Sequence, residues 1–280
     1  MIMPITIFRC PHEPEALNEE FIRLFKECDI LFIEETINEE CNADREYYSD
    51  LSNKGYSSIF SQSNFDNYAR KFDSIVKGSK KQIAVECSPV KNEDFNRIED
   101  LGINAINAFK NGEFEVACKK ILVYSQTKIE NEKNRENSLV KQLIELQKKD
   151  ENKKILLPIG TSHPTYYKLK EKGYNVRQVI SNKPFIFSID DEILRRLEFN
   201  KPIKNELLAK SIVEYLIFNY IKHDNKPLHK SVEIARRIAE KLSYNDVKDL
   251  SKYISEDIYR RVMPEDATIV WLRKRGITID

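Results

Sequence analysis

Two histidines stand in matching settings. Residues 5–14 read ITIFRCPHEP and residues 155–164 read ILLPIGTSHP. Each is a short apolar run, a tight turn, a histidine close to proline and then a helix-like stretch. His12 and His163 therefore fall where a strand hands over to a helix. In open α/β sheets that edge, outside the carboxyl ends of the strands, is where ligands bind. The chain has only four histidines, so two at that edge are the first candidates for chemistry. Carboxylates end two more apolar runs: Glu34 and Glu35 after Ile30–Ile33, and Glu86 after Ile83–Val85. Two histidines with one or two carboxylates make a set that can bind a divalent metal. The same set also suits a metal-free general base, in which a carboxylate orients a histidine that activates water.

Each residue has a plainer reading. His12 could cap a helix. His163, placed at a helix N-terminus, is expected to be neutral, because the dipole there disfavours a charged imidazole. Glu34 could be a solvated loop carboxylate, and Glu35 suits that reading better. Glu86 follows an uncharged apolar run, so its burial would cost free energy without a partner. Cys10 and Cys87 lie beside His12 and Glu86, but small buried strand-end cysteines are commoner than nucleophiles. His223 and His229 flank a loop between helices and read as surface residues.

The elements that must position these groups alternate. Strands are expected at Ile5–Phe8, Asp29–Glu34, Gln82–Cys87, Ile155–Ile159 and Asn175–Ile180. Helices are expected over about 15–28, 65–77 and 92–111. Two more are expected within 113–150, broken near Glu130–Asn134. A further helix, capped by Thr161 or Ser162 with Pro164 in its first turn, ends at Gly173. Residues 38–63 read as loop and short helix, a candidate lid. The first strand–helix–strand unit implies a parallel pair with a right-handed crossover. After Pro184 the alternation weakens. Three amphipathic helices follow, over 204–222, 229–242 and 245–262, and Thr268–Leu272 reads as a final edge strand. The fold class is therefore α/β, a mostly parallel central sheet with helices on both faces. Residues 1–200 form its core, and a helical C-terminal region covers 201–280.

Composition bounds the function. The chain has 280 residues, 41% hydrophobic and 32% charged, with Lys+Arg 46 against Asp+Glu 45. A net charge of +1 gives no footprint for a nucleic-acid or membrane partner. No apolar run approaches the roughly 20 residues a membrane span needs. Five cysteines without CxxC spacing suit a reduced chain. No secretory signal is read at the N-terminus, so the expected location is cytoplasmic. With only seven glycines, there is neither a GxGxxG nor a GxxxxGK[ST] phosphate loop.

The segment Arg135–Val176, RENSLVKQLIELQKKDENKKILLPIGTSHPTYYKLKEKGYNV, resembles the second half of the TraB/TIKI and erythromycin-esterase/ChaN-like superfamily. There an arginine followed by Asn or Asp opens a helix, and a strand leads to GxxH. Arg135 matches the arginine, Glu136 takes the acidic place, and Gly160-Thr161-Ser162-His163 matches GxxH. In the first half, Arg9-Cys10-Pro11-His12 keeps the histidine, with arginine where the family has glycine, and Asp29–Glu34 matches a strand ending in glutamate. The resemblance covers residues 1–190. It implies the fold more firmly than the reaction. It implies a hydrolase of esters or peptide amides, metal-dependent or using a histidine base, with a non-catalytic binding or regulatory module as the alternative. His12, His163, Glu34 and Arg135 would be the catalytic set. His12, His163, Glu34 and Glu86 would hold Mn, Co or Zn. Arg135 would hold a carboxylate behind them or stabilise developing negative charge. Arg9 would bind an anionic group of a small-molecule or peptide substrate. The C-terminal helices could cap the site, form a homo-oligomer surface or dock a partner.

Overall fold

Three of the apolar runs are buried along their whole length. They are β1 (Ile5–Arg9), β2 (Ile30–Ile33) and β4 (Ile155–Ile159). Continuous apolar strands are what a parallel sheet covered on both faces requires. The computed structural model describes residues 4–34, 41–57, 67–160, 162–181, 187–222, 228–256 and 262–279. With β3 (Gln82–Val85) and β5 (Val176–Ile180), the strands form one five-stranded sheet, all parallel, in the order β3-β2-β4-β1-β5. Alternate residues serve the two faces. Phe8, Leu31, Ile33, Val85 and Leu156 pack with α1 (Glu19–Glu27), α2 (Cys41–Lys54) and α3 (Asn67–Val76). Ile5, Ile7, Phe32, Leu157 and Ile159 pack with α5 (Phe114–Lys149) and α6 (Thr165–Glu171).

The expected pairing of the first two strands is corrected: β4 lies between β1 and β2. All three runs are buried and apolar, so their pattern carries no information about which is whose neighbour. The insertion has a consequence for ligand binding. β1 leads into α1 on one face, while its neighbour β4 leads into α6 on the other. That is a topological switch point, where an open sheet makes a crevice at its carboxyl edge. The ladder between β2 and β4 covers only Ile30/Ile155 and Leu31/Leu156. It stops before Pro158, which has no N–H to give.

Contacts divide the chain into two units, Met1–Asn92 with Glu132–Phe185, and Glu93–Asn131 with Ile186–Asp280. This differs from a single cut at residue 200: residues 93–131 and 186–200 belong with the helical unit. That unit holds α4 (Asn92–Lys110), the first part of α5, α7 (Ile189–Glu198), α8 (Asn205–Ile221), α9 (Leu228–Glu240), α10 (Tyr244–Ser255) and α11 (Pro264–Lys274). α8 is its centre, with Leu208, Ile212, Val213, Leu216, Ile217 and Ile221 at most 2% exposed. A helix apolar nearly all round is a buried one.

Three element readings change here. The 113–150 stretch is one helix, not two. It contains no Gly or Pro, and the polar run at 130–134 keeps the helical spacing from Ile121 through Ile129 to Leu139 and Leu143. Thr268–Leu272 is not a strand but part of α11. That helix starts with Pro264 followed by Glu265 and Asp266, and it buries Ala267, Thr268, Trp271 and Leu272. α7 was not anticipated, although its start is written in the sequence. The Ser188 hydroxyl accepts from Asp191 N, and the Asp191 carboxylate accepts from Ser188 N. No described helix is long and apolar enough to cross a membrane.

Candidate functional site

The strand order brings the strand-end groups into one row. Glu86 follows β3, Glu34 follows β2, His163 follows β4, and Arg9 and His12 belong to the end of β1. Glu34 is the hub. One oxygen, Oε1, lies 2.8 Å from Arg135 Nη2 and 3.1 Å from His163 Nε2. The other, Oε2, accepts from Gly160 N at 2.9 Å and lies 3.4 Å from His12 Nε2. Beyond the end of the β2–β4 ladder, this carboxylate bridges the two strands. Gly160 is packed close to both groups: a Cβ there would be in van der Waals contact with the His163 ring at 3.4 Å and Glu34 Oε2 at 4.0 Å.

Arg135 holds the carboxylate end of the row. Its Nε and Nη2 donate to the two oxygens of Glu86 at 3.1 and 2.9 Å. This is the partner that a buried Glu86, 0% exposed, requires. Of the two roles expected for Arg135, the geometry matches the holding of carboxylates. Two guanidinium–carboxylate contacts, one of them bidentate, are strong charge-assisted bonds.

His163 lies between two carboxylates. Nε2 faces Glu34, and Nδ1 is 2.9 Å from Glu136 Oε2. Burial works against its charge, but Glu34 and Glu136 outweigh burial and raise the imidazole to about 10. The expectation of a neutral His163 is therefore corrected. α6 begins only at Thr165, with Pro164 in the cap position, and is seven residues long. Two touching carboxylates dominate over so short a helix. Thr161, the other suggested cap, lies outside the described residues. Burial would likewise raise Glu34, yet His163, His12 and Arg135 hold it well below the usual carboxylate range. Arg9 is buried, and its guanidinium donates to the main-chain carbonyl of His163. That bond ties the end of β1 to the turn after β4.

His12 differs from the rest. Its side chain is 52% exposed, against 9% or less for Glu34, Glu86, Arg135, His163 and Glu136. Nε2 points to Glu34, and no described residue bonds Nδ1. Burial opposes charge on the ring, but Glu34 raises it above the ordinary imidazole value. The ring stacks on Tyr68 from α3, with centroids 5.3 Å apart at 18°. The Tyr68 hydroxyl is 3.8 Å from Cys10 Sγ. Burial pushes the Cys10 thiol up to about 12, so it is not the nucleophile. Cys87 Sγ accepts a contact from Arg45 Nη2 at 3.1 Å.

The structure thus brings Arg9, His12, Glu34, Glu86, Arg135 and His163 together. It adds Glu136 and Tyr68, which spacing alone did not mark as site residues. Glu136 was legible only as the acidic neighbour of Arg135. Nothing in the sequence pointed to Tyr68. Glu35 and His223 lie outside the described residues.

No family model, curated protein or solved structure matches this chain. The chemistry must therefore be read from the donor set. His12, His163, Glu34 and Glu86 do not form a ligand shell. Glu86 contacts Arg135 with both oxygens, and His163 turns one ring nitrogen to Glu34 and the other to Glu136. Among the described residues no group of three or more His, Cys, Asp or Glu could hold a metal ion. The carboxylates of Glu34, Glu86 and Glu136 pair instead with Arg135 and His163.

His163 carries a pH dependence. Its folded value of about 10 lies above the ordinary 6.5. The stability it contributes is complete below pH 6.5 and is lost as pH rises towards 10. Thermal unfolding across that window should show a falling midpoint for the wild type and a flatter profile for His163→Gln. Parallel profiles would refute the assignment.

Proposed function

We propose that this cluster is a hydrolytic site in which His12, oriented by Glu34, takes a proton from water as it attacks an ester or amide carbonyl. The observation that carries the reading is the contrast in exposure: the His12 side chain is 52% exposed, while Glu34, Glu86, Arg135, His163 and Glu136 behind it are buried. With Nε2 facing Glu34, Nδ1 is the nitrogen left to accept the proton. Attack gives a tetrahedral intermediate and a protonated His12, which then donates that proton to the leaving oxygen or nitrogen. Glu34 does not take the proton, because His163 and Arg135 keep it ionised. It orients the ring and stabilises the imidazolium, the role of the carboxylate in a histidine–acid pair. His163, Arg135 and Glu136 are positioning residues.

The resemblance of the ordered set His12, Glu34, Arg135 and His163 to the TraB/TIKI and erythromycin-esterase/ChaN-like superfamily supports a hydrolase. The pairing of the carboxylates with Arg135 and His163 favours its metal-free, histidine-base branch. A small-molecule or peptide substrate and a cytoplasmic location belong to the same proposal, and the free thiols of Cys10, Cys28, Cys87 and Cys118 suit the latter. The pairing of Glu34, Glu86, Arg135 and His163 with one another also favours a rival, a non-catalytic binding module. A panel of aryl esters and aryl amides assayed after exhaustive chelation separates the readings. Turnover that survives chelation is the expected result. Turnover appearing only on addition of Mn, Co or Zn would overturn the metal-free step, and none under any condition would leave the binding module.

A further inference from the structure

The helical unit contains a carboxyl group that the site does not use. Glu214 lies in the middle of α8 and is 5% exposed. Its Oε2 accepts from Ile189 N, the first amide of α7, at 2.6 Å. Its Oε1 is buried and has no hydrogen-bond partner. The groups facing it are Asp190 and Asp191 on α7 and Arg236 on α9. The Arg236 guanidinium is directed elsewhere: it donates to the carbonyls of Phe187 and Ser188 and to Glu192 and Glu240. Lys128 on α5 is 2.7 Å from Asp190. The helices α10 and α11 bring apolar side chains to the same core, among them Val247, Leu250, Ile269 and Leu272.

We infer that Glu214 is a pH-sensitive latch, a buried carboxyl group that holds the first turn of α7 on α8 while protonated and weakens that hold once ionised. A carboxylic acid can keep the Ile189 bond at modest cost. A carboxylate in the same place is a buried charge with one amide donor and two like charges beside it. Burial, together with Asp190 and Asp191, raises this group from the ordinary 4.5 to about 8, against the Ile189 bond and Arg236. The folded value is the higher one. The stabilisation is therefore complete below pH 4.5, declines as pH rises, and is lost above about 8. The device is local to one helix pair and independent of the proposed hydrolysis.

The test compares full-length wild type with Glu214→Gln, which keeps an oxygen for Ile189 N and cannot ionise. Unfolding equilibria are measured from pH 5 to 9. The wild type should lose stability relative to the variant by up to about tenfold in equilibrium constant per pH unit, levelling off near pH 8. Taking the difference cancels the contribution of His163. Hydrogen exchange at residues 187–198 of the wild type, corrected for the intrinsic rate, reads the latch directly and serves if Glu214→Gln does not fold. Protection there should fall from pH 5 and level off near pH 8 while the amides of α10 keep theirs. Equal pH slopes in both proteins, or unchanged protection over α7, would overturn the inference.

Discussion

Arg135→Ala should lower the unfolding free energy by about 3–5 kcal/mol, the largest loss expected from any single change at the site. The side chain is 5% exposed and touches Glu86 through two nitrogens and Glu34 through one. Truncation leaves two buried carboxylates without the guanidinium that compensates them. Glu34 keeps His163, so Glu86 carries most of the cost. Two controls separate electrostatics from packing. Arg135→Lys retains the charge but not the fork, and should lose less. Arg135→Met combined with Glu86→Leu removes both charges in similar volume, and should be much closer to wild type than the single alanine variant. Urea unfolding reads all three. A loss under about 1 kcal/mol for Arg135→Ala would mean that the guanidinium is not the counter-ion of this row.

His12→Ala should reduce ester turnover by about 10²–10⁴-fold, the range for loss of a general acid–base group. It should change the thermal midpoint little, because the side chain is half exposed and, among the described residues, stacks on Tyr68 and meets Glu34 only at 3.4 Å. The pH profile should carry the signature of the same residue. A base must be neutral to act, so kcat/KM should rise with pH along a limb set by His12. That limb should lie above the ordinary imidazole value, because Glu34 raises His12. Glu34→Gln should move the limb down by removing the charge that raises it. Steady-state kinetics of the three proteins decide the matter. A His12→Ala variant with wild-type turnover, or a limb that stays in place in Glu34→Gln, would remove His12 as the base.

Much of the site could be read from the chain. His12, Glu34, Glu86 and His163 were marked because each ends a buried apolar run, and a parallel sheet collects the ends of its strands along one edge. The alternation of strands and helices, the helices on both faces and the helical C-terminal region were legible from hydrophobic period for the same reason. Period was misleading where composition imitated another element. The β-branched run Thr268–Val270 looked like a strand until its helical burial was seen, and the charged stretch of α5 looked like a break.

What the chain determined by itself was therefore the inventory: which segments are strands, and which ionisable groups stand at their ends. The tertiary structure decided adjacency. Only the insertion of β4 between β1 and β2 puts His163 beside Glu34 and places a switch point between β1 and β4. Only the approach of α5 gives Glu86 its guanidinium and His163 its second carboxylate. Strand order and charge state depend on contacts between residues far apart in the chain, such as Arg9 and His163, 154 positions apart. A local pattern has no means of encoding such contacts. The protonation of His163 is set by Coulomb interaction with groups a few ångströms away in space.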